Sequence, residues 1–114
     1  MKEYIAYIDE MIAKLQKEEQ NLIASDRKDE ANLVKIRTNI YGIGKTVYNV
    51  VAGSGNREDI KTEYLKKMTL IPQSWKESYE KAKAHDDVEK IVIEEIKLET
   101  VEELKNKFLE IYGE

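Results

Sequence analysis

Helix-breaking residues are scarce: this chain of 114 residues holds one proline and five glycines. Long stretches rich in Glu, Lys, Leu, Ala and Ile run without interruption, and their apolar residues recur every three or four positions. That spacing draws a stripe down a helix. It predicts an all-α helical bundle of about five helices, forming a single domain over residues 1–114. Three helices are long, near 2–24, 28–52 and 87–112. Two are short, near 57–70 and 73–84, and are broken at Pro72.

The first helix carries Tyr4, Ile5, Ile8, Met11, Ile12, Leu15, Leu22 and Ile23 on its stripe, with Glu18 and Glu19 filling one turn. The second carries Leu33, Ile36, Ile40, Ile43, Val47, Val50 and Val51 on its buried face. Gly53, just past its end, suits the left-handed residue that commonly stops a helix. The link between them is short, which makes them antiparallel neighbours. Asp26 with Asp29, Asn56 with Asp59, and Asp86 with Glu89 each read as a pair capping a helix start. Pro72 lacks an amide donor and disfavours helical geometry at Ile71. Ile60, Tyr64, Leu65 and Met68 form the inner face of the third helix, and Trp75, Tyr79 and Ala82 that of the fourth. From Asp87 to Tyr112 nothing interrupts the pattern, so one final helix is expected. Its alternatives are a break at a Thr100–Glu103 capping box, or a strand at Ile91-Val92-Ile93 that would need a dimer to pair with.

Several classes of function fall away. There is no cysteine, which excludes disulfides, thiolate zinc sites and thiol nucleophiles and suits a reducing, cytoplasmic setting. The opening residues Met1–Ile5 hold no sustained apolar run and do not read as a signal peptide. No stretch approaches the roughly 20 apolar residues of a membrane span. Charged residues make up 37% of the chain with a net charge of −4, and the signs are interleaved. Nucleic acid is not an expected partner, because phosphate binding needs a basic stripe and the longest basic run is Lys66-Lys67.

The motifs that suggest chemistry are weak. Gly42-Ile43-Gly44-Lys45-Thr46 ends like a phosphate-binding loop, but Asn39 stands where that loop needs its first glycine, and a helix leads in where a strand is required. The two glycines read instead as a thinned helix that lets a neighbour approach. His85 is the single histidine, so histidine-based metal sites are excluded, and its place between two helices suits a C-terminal cap. No metal or cofactor is expected, and a carboxylate site joining Glu18 or Glu19 to Glu94 or Glu95 has no spacing signature behind it. Ser25, Ser54, Ser74 and Ser78 lack any nucleophile context. Folding the first helix back on the second places Arg37 near Glu18 and Glu19, as an ion pair that fixes register.

With no catalytic constellation, the leading expectation is a non-enzymatic interaction or regulatory module whose amphipathic helices can continue into a homodimer. One rival is a ligand-binding bundle or enzyme with a pocket between the long helices, lined by Arg37, Tyr41, Gly44 and Tyr48, with Trp75 as a lid. A third reading is an immunity- or antitoxin-like acidic bundle that blocks a basic protein partner.

Overall fold

The computed structural model describes residues 2–53 and 55–113. Helices make up 89% of the described residues, and no strand occurs among them. The fold is an all-α bundle: α1 (Lys2–Ala24), α2 (Lys28–Ala52), α3 (Arg57–Leu70), α4 (Gln73–Ala84) and α5 (Val88–Tyr112). The molecule measures 45 × 35 × 20 Å. Its thickness is that of two helix layers at about 10 Å each.

The chain folds as two helical hairpins, α1–α2 and α4–α5, joined by α3. Both hairpins turn in the same way. Asp26 and Asp86 adopt left-handed backbone, with φ of 59° and 54°. The next amide reaches back five residues in each case: Arg27 N–H to the Leu22 carbonyl at 2.8 Å, and Asp87 N–H to the Ala82 carbonyl at 2.9 Å. This turn needs a residue that tolerates positive φ, and aspartate is one of the few besides glycine and asparagine that does. The expected capping roles of Asp26 and Asp86 are therefore corrected. Arg27 stands at the N-cap of α2 without a side-chain cap, and Asp87 caps α5 by accepting from Lys90 N–H at 3.3 Å. Asn56 does cap α3, accepting from Asp59 N–H at 3.0 Å.

The inner helices α2 and α5 run parallel. Asp29 and Leu33 lie beside Glu89 and Ile93, Arg37 beside Glu103, Gly44 beside Leu104, and Tyr48 beside Tyr112. α1 packs on α2, α4 packs on α5, and α3 bridges α2 and α5.

The α5 helix is continuous through Thr100, which is buried and donates its hydroxyl proton to the Ile96 carbonyl at 2.7 Å. Neither the capping box nor the strand forms. Two further expectations change. Gly53 is right-handed at φ −77°, and Gly55 instead takes the positive φ, 119°. Ile71 keeps helical angles (φ −55°, ψ −45°) directly before Pro72. Proline's lost donor is harmless there, because Pro72 occupies the N-cap of α4, where an amide has no helical partner.

The core is aromatic. The single phenylalanine, Phe108, has its ring centroid 4.3 Å from Tyr112, 4.4 Å from Tyr64, 5.3 Å from Tyr4 and 6.2 Å from Tyr48. Around it pack Ile8, Ile40, Val51, Ile60, Met68, Val101 and Leu104. The buried face of α2 is Ile40, Tyr41, Gly44, Tyr48 and Val51, with Ala31 at its start. The aliphatic stripe expected there lies about a quarter-turn away at 100° per residue. Leu33, Ile36, Ile43 and Val47 are half-buried, and Val50 is 67% exposed.

Candidate functional site

A buried tyrosine must give its O–H a partner, since an unpaired polar group in a dry core costs about 1–3 kcal/mol. Here six of the tyrosines solve this in pairs. Tyr4 and Tyr64 hydroxyls lie 2.6 Å apart, Tyr48 and Tyr112 2.6 Å, and Tyr7 and Tyr41 3.1 Å. Each hydroxyl has a single proton. The Tyr4–Tyr64 pair is flanked by two carbonyl acceptors, Leu104 at 3.1 Å from the Tyr4 hydroxyl and Gly44 at 3.4 Å from the Tyr64 hydroxyl, so its two protons serve the pair and one of these carbonyls. Tyr41 donates to Glu103 at 2.8 Å, so Tyr7 donates to Tyr41. Burial disfavours the phenolate and pushes Tyr4, Tyr41, Tyr48 and Tyr64 well above the ordinary tyrosine range. These groups are built to stay protonated, which suits structure and not acid–base chemistry near neutrality.

The residues expected around a pocket occupy three different settings. Arg37 donates to Glu103 at 2.8 Å, and the same carboxylate oxygen accepts from Tyr41. The expected pairing of Arg37 with Glu18 and Glu19 is corrected. Parallel packing of α5 on α2 brings Glu103 to that position, while Glu18 is exposed and Glu19 half-buried on α1. Gly44 and Tyr48 lie in the core. A Cβ at Gly44 would sit 2.9 Å from Leu104 Cδ1 and 3.3 Å from the Tyr64 hydroxyl, so side chains fill the space beside it. Trp75 is half-buried on α4, with Lys97 Nζ 5.7 Å from its ring centre. Arg37 and Tyr41 are thus brought together, Gly44 and Tyr48 line the aromatic core, and Trp75 stands apart against α5.

Other polar groups are placed structurally. His85 is the C-cap of α4, its Nδ1 2.9 Å from the Lys81 carbonyl. Arg57 donates to the Tyr112 carbonyl at 3.0 Å and lies 4.5 Å over the Tyr112 ring, closing the end of α5. Glu95 accepts from Tyr79 at 3.1 Å. Among the described residues no three or more carboxylates or histidines come close enough to hold a metal ion. No helix is long and apolar enough to cross a membrane among them. Ser54 lies outside the described residues.

Glu94 is the exception to good polar placement. It is 5% exposed on the core stripe of α5, one oxygen meets Lys97 Nζ at 3.3 Å, and Oε1 has no partner among the described residues. A buried carboxylate satisfied on one side only is weaker than an apolar replacement of similar volume. Glu94→Leu is expected to raise the free energy of unfolding by about 1–2 kcal/mol, read by urea denaturation. A loss of stability would assign Glu94 a structural bond that its surroundings do not display.

Two of the surface depressions have mainly apolar linings. One is a notch of about 340 Å³ between the starts of α2 and α5, lined by Asp29, Asn32, Leu33, Glu89, Val92 and Ile93. Val88 beside it is 70% exposed. Its acids stand at helix N-termini, where the dipole already favours them.

The other is a shallow depression of about 570 Å³ on the outer side of α2, lined by Ile12, Thr38, Asn39, Gly42, Ile43, Thr46 and Val47. A Cβ at Gly42 would meet nothing within 4 Å. The expectation that both glycines admit a neighbouring helix is therefore correct for Gly44 and corrected for Gly42, which points outward. Residues 38–52 hold a single charged residue, Lys45, and it is bound to Asp9 at 2.6 Å. The signal for this face was present in the sequence as an uncharged run inside a chain that is 37% charged. Comparison with protein-family models, with curated proteins and with solved structures finds no match, so the residues themselves must carry any functional argument.

Proposed function

We propose that this protein is a non-enzymatic protein-interaction module that docks its partner on the outer face of α2 around Gly42. The observation carrying this reading is a glycine that the fold itself does not use. In mid-helix, glycine is about 0.5–1 kcal/mol less favourable than alanine. Gly44 has a reason to be glycine, because Leu104 and Tyr64 occupy the space of a side chain; Gly42 has no such neighbour. The surface around it has the character of an interface centre, apolar and depleted of charge. Ile12, Ile43 and Val47 are only half-buried there, and Val50 continues the same side of the helix into solvent.

Gly42→Ala tests this reading without any partner in hand. Urea unfolding at low micromolar protein is expected to give a variant about 0.5–1 kcal/mol more stable than the parent. A destabilised variant would mean that Gly42 serves the fold, and the reading would lose its basis.

A further inference from the structure

We infer that the occupant of the Gly42 face is a second copy of this chain, packed α2 against α2 in antiparallel order about a two-fold axis at Gly42. This rests on the docking reading above and names the partner.

Charge is the first argument. The chain carries a net charge of −4, so two copies repel over much of their surface and approach best where acids are absent. The outer side of α2 from Thr38 to Val50 is such a place. The one charged side chain on that stretch, Lys45, is paired with Asp9, so a partner recognised by opposite charge finds no net charge there. A two-fold contact sets a patch against itself, and so requires a patch that does not repel its copy.

Order is the second. In an antiparallel pair crossing at Gly42, residues equally far before and after the glycine meet. Thr38 faces Thr46 of the second copy, Asn39 faces Lys45, and Lys35 faces Asn49. No like charges oppose. A parallel pair would set Lys35 against Lys35 and Lys45 against Lys45.

Shape is the third. Helices pack with axes about 8–10 Å apart, and the near end of that range requires small residues at the crossing. Gly42 supplies the crossing point, flanked by threonines four residues to either side. Ile12, Ile43 and Val47 lie beside it, and Val50 is 67% exposed in the single chain. The face is short, so the contact falls in the class of small, reversible interfaces below about 1,200 Å².

Sedimentation equilibrium of the whole chain, from a few micromolar to several hundred micromolar, tests this. The weight-average mass is expected to rise from 13.3 kDa toward twice that value. Gly42→Leu fills the crossing point and Thr46→Lys sets a charge against Thr38 of the second copy. Each is expected to weaken association about tenfold or more, equivalent to about 1.4 kcal/mol. Both positions are open to solvent, so helicity by circular dichroism should be unchanged. A mass of 13.3 kDa at every concentration overturns the proposal, as does association that both variants leave intact. If the chain stays monomeric while Gly42→Ala is stabilised, docking stands and the second copy falls. If Gly42→Ala is destabilised, both fall.

Discussion

Raising the pH through about 11 is expected to unfold the protein in one cooperative step, with tyrosine ionisation and loss of helix coinciding. An ordinary tyrosine loses its proton near pH 10. Tyr4, Tyr41, Tyr48 and Tyr64 are buried and resist ionisation, chiefly because the phenolate would be desolvated. Their folded-state values are raised, so the stability they contribute is fully present below about pH 10 and is lost as pH rises above it. Each removes about 1.4 kcal/mol for every pH unit in which only the unfolded chain ionises. Four acting together remove roughly 5–6 kcal/mol by about pH 11, comparable with the whole stability of a small domain. Far-ultraviolet circular dichroism and tyrosinate absorbance should therefore follow the same steep curve. Gradual tyrosinate formation centred near pH 10, with helicity intact, would mean that the hydroxyls are not sealed in the core.

The second large effect is expected at Gly44. Its missing side chain lets Leu104 and the Tyr64 hydroxyl approach α2, and Leu104 and Tyr64 are themselves fully buried. Neither can swing away into solvent. Alanine there gains about 0.5–1 kcal/mol of helix propensity but overpacks the core by about 1–3 kcal/mol, for a net loss near 1–2 kcal/mol. Valine adds two more carbons against Leu104 and should remove about 3 kcal/mol or more. Valine at this position should also disturb the Tyr4–Tyr64 hydroxyl pair, which is flanked by the Leu104 and Gly44 carbonyls. Thermal and urea unfolding measure both variants. Full stability in Gly44→Val would contradict the tight α2–α5 contact.

Helix number and order were legible because breakers are few and apolar spacing persists over long runs. Boundaries were set by residues with a single physical job, such as Asn56 capping α3. The hairpin turns were misread by one residue, because Asp26 and Asp86 have the chemistry of a cap but serve as left-handed hinges. Nothing in Asp-Arg-Lys or Asp-Asp-Val distinguishes the two uses until the five-residue return bond is known.

The buried face of α2 was misread for a related reason. Aliphatic spacing through Ile36, Ile43, Val47 and Val50 suggested one face, while the helix buries Tyr41, Gly44 and Tyr48 instead. Tyrosine counts as half polar in isolation, and only a partner hydroxyl across the core makes its burial favourable. Those partners, Tyr7 for Tyr41 and Tyr112 for Tyr48, lie 34 and 64 residues away along the chain. The same rotation explains why Val50 faces solvent and Gly42 lies at the centre of an open face. It also explains Arg37, whose partner Glu103 comes from a helix placed beside α2 only by the tertiary fold.

Two glycines separated by one residue thus stand on opposite sides of a helix, one fitted to the core and one facing outward. The most direct measurement of this claim is urea unfolding of Gly42→Ala and Gly44→Ala side by side, at a concentration where the parent protein is monomeric. The account predicts opposite signs: a gain of about 0.5–1 kcal/mol at Gly42 and a loss of about 1–2 kcal/mol at Gly44. Shifts of the same sign at both positions would contradict it.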